Sequence, residues 1–395
     1  MYTITKNNLL LNYLFNKFTY LTIIVYVFIN GMSLSAQDLH VGDNKSYSTI
    51  SAAMEACSDG DVIIIHSGVY QEHGLRPKSN TIIRGAKGEV RPVINAMQGN
   101  DTRVSTFNIS SASNITLKDL DIRGGGGHER GSVTIGSEGR GVSDIILDHC
   151  KISETNAGGT HRFYNPAHIR ICYQETVRNI TIKNCEITGK DASGFKIDSY
   201  HGRLTNLIIK NNYIHDVVNG VALKWGDNTS RNIIVENNLI ENCSERGIYC
   251  DQSHVTIKNN VIALSKTGMR FCDNFGGSNC QIEHNTVYGS SKHGIYFGSC
   301  GNNNRLINNI IYRVNRITDY SRAGNNIVRH NFTSNPLFTD VQNHDYTLQP
   351  ESNARGRASD GKDFGADITL VGIDTSGSGI EILMPPENLR IETME

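Results

Sequence analysis

NLIIKNNYI, residues 206–214, decides how this chain is read. The same nine-residue phrase returns as NITLKDLDI from Asn114, DIILDHCKI from Asp144 and NITIKNCEI from Asn179. It continues as NIIVENNLI from Asn232 and HVTIKNNVI from His254, then fades through QIEHNTVY, RLINNIIY and NIVRHNFT. The second residue of each polar pair marks the phase: Cys150, Cys185, Asn212, Asn238, Asn260, Asn285, Asn309 and Asn331. The steps are 35, 27, 26, 22, 25, 24 and 22 residues, so the chain is a repeat array. Within each phrase apolar and polar residues alternate, the mark of a strand with one buried face. No helical stripe separates the phrases, which excludes a doubly wound α/β fold.

A second strand follows a glycine in each period: GFKID from Gly194, GVALK from Gly220, GIYCD from Gly247, GMRFC from Gly268 and GIYFG from Gly294. Two or three short strands per period, stacked coil on coil, make an all-β parallel β-helix. Like residues then lie about 4.8 Å apart along the stack, and inward-turned asparagines hydrogen-bond to their own turn and to their neighbours.

The chain resembles the right-handed parallel β-helix, pectate-lyase-like proteins from about Asp38 to Asp367. The resemblance includes an opening like that family's N-terminal cap: a short amphipathic helix (Ile50, Ala53, Met54, Cys57), a turn at Ser58–Gly60 and a first strand at Val62–Ile65. The closing stretches from Asn335 and Asp363 look like the usual ending of secreted members. The expected organisation is a signal peptide over 1–36, a β-helix over 37–367 and a tail or linker over 368–395. The signal rests on Lys6 and Lys17, the apolar run 18–29 and the small residues Ser33, Ser35 and Ala36, and implies a secreted or periplasmic protein.

The 395 residues carry a formal net charge of −1, which excludes a uniformly basic body for nucleic acid. Hydrophobic residues make up 38%, which is lean for a globule and enough for a thin solenoid core. The nine cysteines lack metal-ligand spacing and read as small core residues, with one or two disulfides left open. Nothing indicates an oligomer, so a monomer is expected.

Aligning the glycine-led strands turns Phe195, Ile197, Val221, Leu223, Ile248, Cys250, Met269, Phe271, Ile295 and Phe297 inward. Two outward columns remain. One runs Arg170, Lys196, Ala222, Tyr249, Arg270, Tyr296; the other runs Cys172, Asp198, Lys224, Asp251, Cys272, Gly298, with Trp225, the single tryptophan, beside Lys224. Aromatic rings stack on sugars, and Lys and Arg pair with carboxylates. The coil spacing also approaches the advance of one sugar unit. The stripe is therefore read as a groove for an acidic polysaccharide, with His161, Arg162, Tyr164 and His168 as a wall raised by a long insertion.

The reaction expected first is β-elimination on a uronic-acid polymer. It needs the uronate charge neutralised, a base for the C5 proton and an acid for the leaving oxygen. Arg170 beside Lys196 disfavours the ammonium form and makes Lys196 the candidate base. Lys224, flanked by Asp198 and Asp251, is held protonated and serves with Arg270 as clamp or donor; Tyr249 is the alternative acid. Arg170, Asp198, Trp225, Asp251, Tyr296 and His168 are candidate binding residues. Several β-helix lyases hold Ca²⁺ on acidic side chains, and the rung alignment makes Asp198 and Asp251 the candidates for such an ion here; the aspartate cluster and Arg-x-Pro of pectate lyases are missing, so no residue role is carried over from the resemblance. The alternatives are an inverting glycoside hydrolase using Asp198 and Asp251 two coils apart, a C5-epimerase sharing the first step, and a non-catalytic glycan-binding protein.

Overall fold

The computed structural model describes residues 36–374 apart from 97–103, 126–130, 137–140, 155–166, 174–175, 191, 200–202, 225–229, 272–275, 300 and 320–323. The side chains of Cys172, Tyr173, Ile197, Asp198, Ser199 and Asp319 also fall outside the description. The expected signal peptide, His161, Arg162, Tyr164 and Trp225 therefore lie outside the described residues. The chain divides into Met1–Gln37 and Asp38–Glu395, and only the second unit is considered below.

Among the described residues, strands form three parallel sheets of 12, 10 and 9 members, each strand pairing with its counterpart one coil away. One coil runs Thr176–Lys183 in the first sheet, Glu186–Thr188 in the second and Ser193–Ser199 in the third. The parallel β-helix is thus as the period predicts. Helix Ile50–Ala56 caps the first coils, with Thr49 accepting from the Ala52 amide and Ile50, Ala53 and Met54 buried.

Residues with left-handed backbone turn the corners. Where the third sheet gives way to the first stand Asn114, Asp144, Asn179, Asn206 and Asn232, with φ between 55° and 61°. Where the first gives way to the second stand Asn184, Asn211, Asn237 and Asn259, with φ between 53° and 57°. Short polar side chains tolerate this region because they can bond locally, so the repeated asparagines are first a steric requirement.

The second residue of each pair does different work. Asn212, Asn238, Asn260, Asn285 and Asn309 are fully buried. Asn260 donates from Nδ2 to the carbonyls of Val235 (2.9 Å) and Lys258 (2.9 Å) and to Asn285 Oδ1 (3.0 Å). Its Oδ1 accepts from the Asn238 amide (3.0 Å) and Asn238 Nδ2 (2.9 Å). This continues from Asn212 to Asn331. A second chain of asparagines, unanticipated from the sequence, runs over the exposed corner, Asn232 donating to Asn206 and Asn206 to Asn179.

After the last coil strand, Ile327–Arg329, the chain turns back along the molecule. The hairpin Phe338–Asp340/Asp345–Leu348 lies on the second sheet, where the Tyr346 hydroxyl donates to the buried Glu241 (2.7 Å). The segment from 368, expected as a tail or linker, is bonded to the coils as far as Asp374: Asn211 donates to the Leu370 carbonyl, Gly372 to that of Asn237, and Asp374 to Asn184 Oδ1. His149 reaches the Asp374 carbonyl with Nε2 (2.9 Å) and Asp148 with Nδ1 (2.7 Å).

Two predictions follow from these contacts. Asn260→Ala strands buried groups on both neighbouring coils and is expected to cost at least about 2 kcal/mol, while Asn206→Ala on the exposed corner costs under about 1 kcal/mol. Chemical denaturation checks the contrast, and equal losses would contradict it. Burial pushes the Asp148 carboxyl up, but hydrogen bonds from His149 and Asn184 outweigh it and hold it at about 2. Burial pushes His149 down, and its bond to Asp148 more than restores it above its ordinary value. The Asp148 contribution is present above about pH 4 and is lost as pH falls through its depressed value; that of His149 is present below about pH 6.5 and is lost as pH rises through its raised value. The melting temperature of the wild type should therefore fall more steeply than that of His149→Gln from pH 6 upward.

Candidate active site

The glycine that opens each third-sheet strand is there for space. A Cβ on Gly194 would stand 2.6 Å from Ile214 Cγ2 of the second sheet and 2.8 Å from the Gly220 carbonyl oxygen. Gly220, Gly247, Gly268 and Gly294 are hemmed in the same way by Ile240, Ile262, Val287 and Ile311. The chain bends at this point, so the residue before each glycine shares the outer face with the residue two places after it. Arg246 accordingly lies over the Tyr249 ring (4.8 Å), and the His293 ring lies 5.2 Å from that of Tyr296.

Pairing across the strands is in register. Arg170 faces Lys196, Lys196 faces Ala222, Ala222 faces Tyr249, Tyr249 faces Arg270 and Arg270 faces Tyr296. In the second column Cys172 faces Asp198 and Asp198 faces Lys224, while the Asp251 amide donates to the Leu223 carbonyl (2.8 Å), setting Asp251 beside Lys224. The inward set is buried wherever its side chains are described.

The columns are not the open stripe expected from the sequence. Arg170, Lys196, Tyr249 and Asp251 are only 3–5% exposed, and Lys224, Arg270 and Tyr296 are half-buried. Nor are the tyrosines free stacking platforms. Tyr249 has the Lys224 ammonium 5.4 Å from its ring centroid as well as Arg246, and Arg270 covers Tyr296 at 4.9 Å. The Tyr249 hydroxyl donates to Asp251 Oδ2 (2.7 Å). Such cation–ring contacts fix the rings and space the positive charges.

His168 does not form a groove wall. It is fully buried, with Nε2 3.4 Å from the Gly189 carbonyl oxygen, and burial pushes its pKa down to about 4, so the imidazole is neutral. The sequence reading also missed a column. It began at each glycine and so passed over the preceding residue, although Ser193, Asn219, Arg246, Thr267, His293 and Arg316 stand in one row. Across the three columns stand the cations Arg170, Lys196, Lys224, Arg246, Arg270 and Arg316 and the carboxylate residue Asp251; Asp198 and Asp319 share the columns by register, with side chains outside the description.

Of the two residues expected to hold calcium, Asp198 has its side chain outside the description and Asp251 lies within it. Among the described residues no three His, Cys, Asp or Glu side chains could hold a metal ion, and Asp251 commits one oxygen to Tyr249. A cavity of about 920 Å³ lies elsewhere, between the first sheet and the C-terminal segment. Its Lys258 and Arg305 are matched by Glu236 (3.0 Å) and Glu283 (4.0 Å).

Residues 160–311 match the family model described as "Right handed beta helix region". The sequence matches no curated protein. Among solved structures the chain is similar to pectate lyase Pel9A, at 14% identity and a TM-score of 0.65, over 84% of this chain and 96% of that one. It is also similar to the GH136 lacto-N-biosidase from Eubacterium ramulus, at 11% identity and a TM-score of 0.51, over 75% and 68% of the two chains. At such identities the likeness is one of fold. The protein has the right-handed parallel β-helix fold.

Tyr249→Phe keeps the ring and its two cations but deprives buried Asp251 of a donor. Stability is expected to fall by about 1–3 kcal/mol. An unchanged denaturation midpoint would show that the hydroxyl contributes nothing there.

Proposed function

We propose that the protein is a secreted polysaccharide lyase that cleaves a uronic-acid polymer by β-elimination on the outer face of the third sheet. The observation that carries this reading is the in-register column Arg170–Lys196–Ala222–Tyr249–Arg270–Tyr296 with Lys224 beside it. Cations repeated at about 4.8 Å suit a chain that carries a carboxylate on successive units, and a largely buried face strengthens each pairing.

In this reading Lys224 and Arg270 neutralise the uronate carboxylate, which stabilises the enolate-like state formed as the C5 proton leaves. Lys196 takes that proton. Its 5% exposure and its neighbour Arg170 both work toward the neutral amine that a base requires. Tyr249 gives its hydroxyl proton to the leaving glycosidic oxygen and recovers the one that Lys196 acquired through solvent. No step passes through calcium.

Purified protein incubated with alginate, pectate and chondroitin should generate the ultraviolet absorbance of an unsaturated uronate with at least one of them. Lys196→Ala should lower that rate by about 10²-fold or more, as expected for loss of a general base. Reducing ends without absorbance would identify a hydrolase, and binding without cleavage a glycan-binding protein. Full lyase activity in Lys196→Ala would remove Lys196 from the role of base.

A further inference from the structure

Cys150 and Cys185 occupy the corner slot that asparagines fill in the six later coils. Their coils are in register: Lys151 pairs with Glu186, and the Glu186 amide donates to the Cys150 carbonyl (3.0 Å). The amide ladder stops just below them, where Asn212 Oδ1 accepts from the Cys185 amide (2.9 Å). Both side chains turn into the core, at 1% and 0% exposure, where the Cys185 thiol donates to the Lys183 carbonyl (3.1 Å) and the Cys150 thiol lies against the carbonyls of Leu117 (3.5 Å) and Asp148 (3.6 Å). In-register positions on adjacent parallel strands are about 4.8 Å apart, inside the roughly 4.4–6.8 Å between Cα atoms that a disulfide spans. Cys250 and Cys280 approach through a shared bond to the Gln252 carbonyl but are not register partners, since Cys250 pairs with Leu223 and Phe271.

We propose that Cys150 and Cys185 close to a disulfide that staples these two coils where the asparagine ladder has ended. The bond ties the coil of Arg170 to the coil of Lys196 and closes the 35-residue step, the longest in the repeat. It forms by thiol–disulfide exchange with a small-molecule disulfide such as oxidised glutathione. One cysteine thiolate attacks the oxidant, releasing one glutathione thiolate and leaving a mixed disulfide. The second cysteine thiolate attacks the protein sulfur of that mixed disulfide and releases the other glutathione, so two thiol protons and two electrons leave the protein. The thiolate is the reactive form, and burial raises the Cys185 thiol well above its ordinary pKa. The exchange therefore belongs to folding, before the two coils close, and the folded dithiol is inert to added oxidant.

The test refolds the full chain in a mixture of reduced and oxidised glutathione, alkylates the remaining thiols and maps the peptides by mass spectrometry. The expected result is a Cys150–Cys185 crosslink lighter by two hydrogens, with Cys57 and Cys243 alkylated. Protein refolded with reductant alone should melt about 5 °C or more lower, the scale expected of a bridge over such a loop. Cys185→Ala should melt at the same temperature under both conditions. Cys150 and Cys185 both alkylated after oxidative refolding, or joined to other cysteines, would overturn the proposal even if the protein proves to be an active lyase.

Discussion

The buried asparagine amide at the corner between the first and second sheets is the constraint on which the rest of the molecule depends. An unpaired amide in that position costs several kcal/mol, so it is tolerable only when every arm is satisfied. Asn260 meets this condition through its own turn, the preceding coil and the next one. Each coil must therefore close with the same corner at the same height. A slip of one residue would leave two amides unsatisfied and also exchange the inner and outer faces of the strand. The alignment of Arg270 with Tyr249 is thus inherited from a corner on another side of the coil.

Vertical stacking imposes a cost on charge. Two like charges 4.8 Å apart at an effective dielectric of 20 repel by about 3 kcal/mol. Along most of the column, rings or small residues separate the cations: Ala222 and Tyr249 lie between Lys196 and Arg270, and Tyr296 follows Arg270. Arg170 and Lys196 are the adjacent like pair. An anionic ligand gains most at such a point, because it relieves repulsion as well as adding attraction. The same two coils carry the two cysteines of the ladder, so a covalent tie there would hold Arg170 and Lys196 at a fixed spacing.

The sequence showed the period, the inward set and the vertical alignment because in a parallel stack all three follow from one repeated phrase. It showed less where the repeat is interrupted. The burial of Arg170 and Lys196 to within 5% of complete depends on the packing around the coil, which has no period to read. His168 was placed in a wall because it ends a long insertion, but the turn at Gly189 closes over it. Arg246 and His293 escaped notice because counting started at the glycine, and the bend that brings them onto the face is a three-dimensional consequence of Ile262 and Ile311 pressing on Gly247 and Gly294. The paired asparagines read as one motif, yet they divide the work, the first turning the backbone and the second bridging coils.

The course of the C-terminal segment separates the faces further. Its described hydrogen bonds reach the first two sheets and their common corner, from Asn308 and Thr286 through Asn259 and Asn211 to Asn184 and His149. Polar groups at that corner are obligatory, since only residues tolerant of left-handed backbone can turn it. They offer donors and acceptors that a returning strand can satisfy, and buried Glu241 meets both Tyr346 (2.7 Å) and His344 (2.8 Å) of that segment. The third sheet follows a different corner, where glycine is demanded by close approach of the second sheet and polar neighbours such as Asn219 with Ser193 and Lys266 with Glu245 are bonded to one another. The segment's hydrogen bonds thus stay with the sheets whose turns can hold it, while the cations gather on the face that those bonds do not reach.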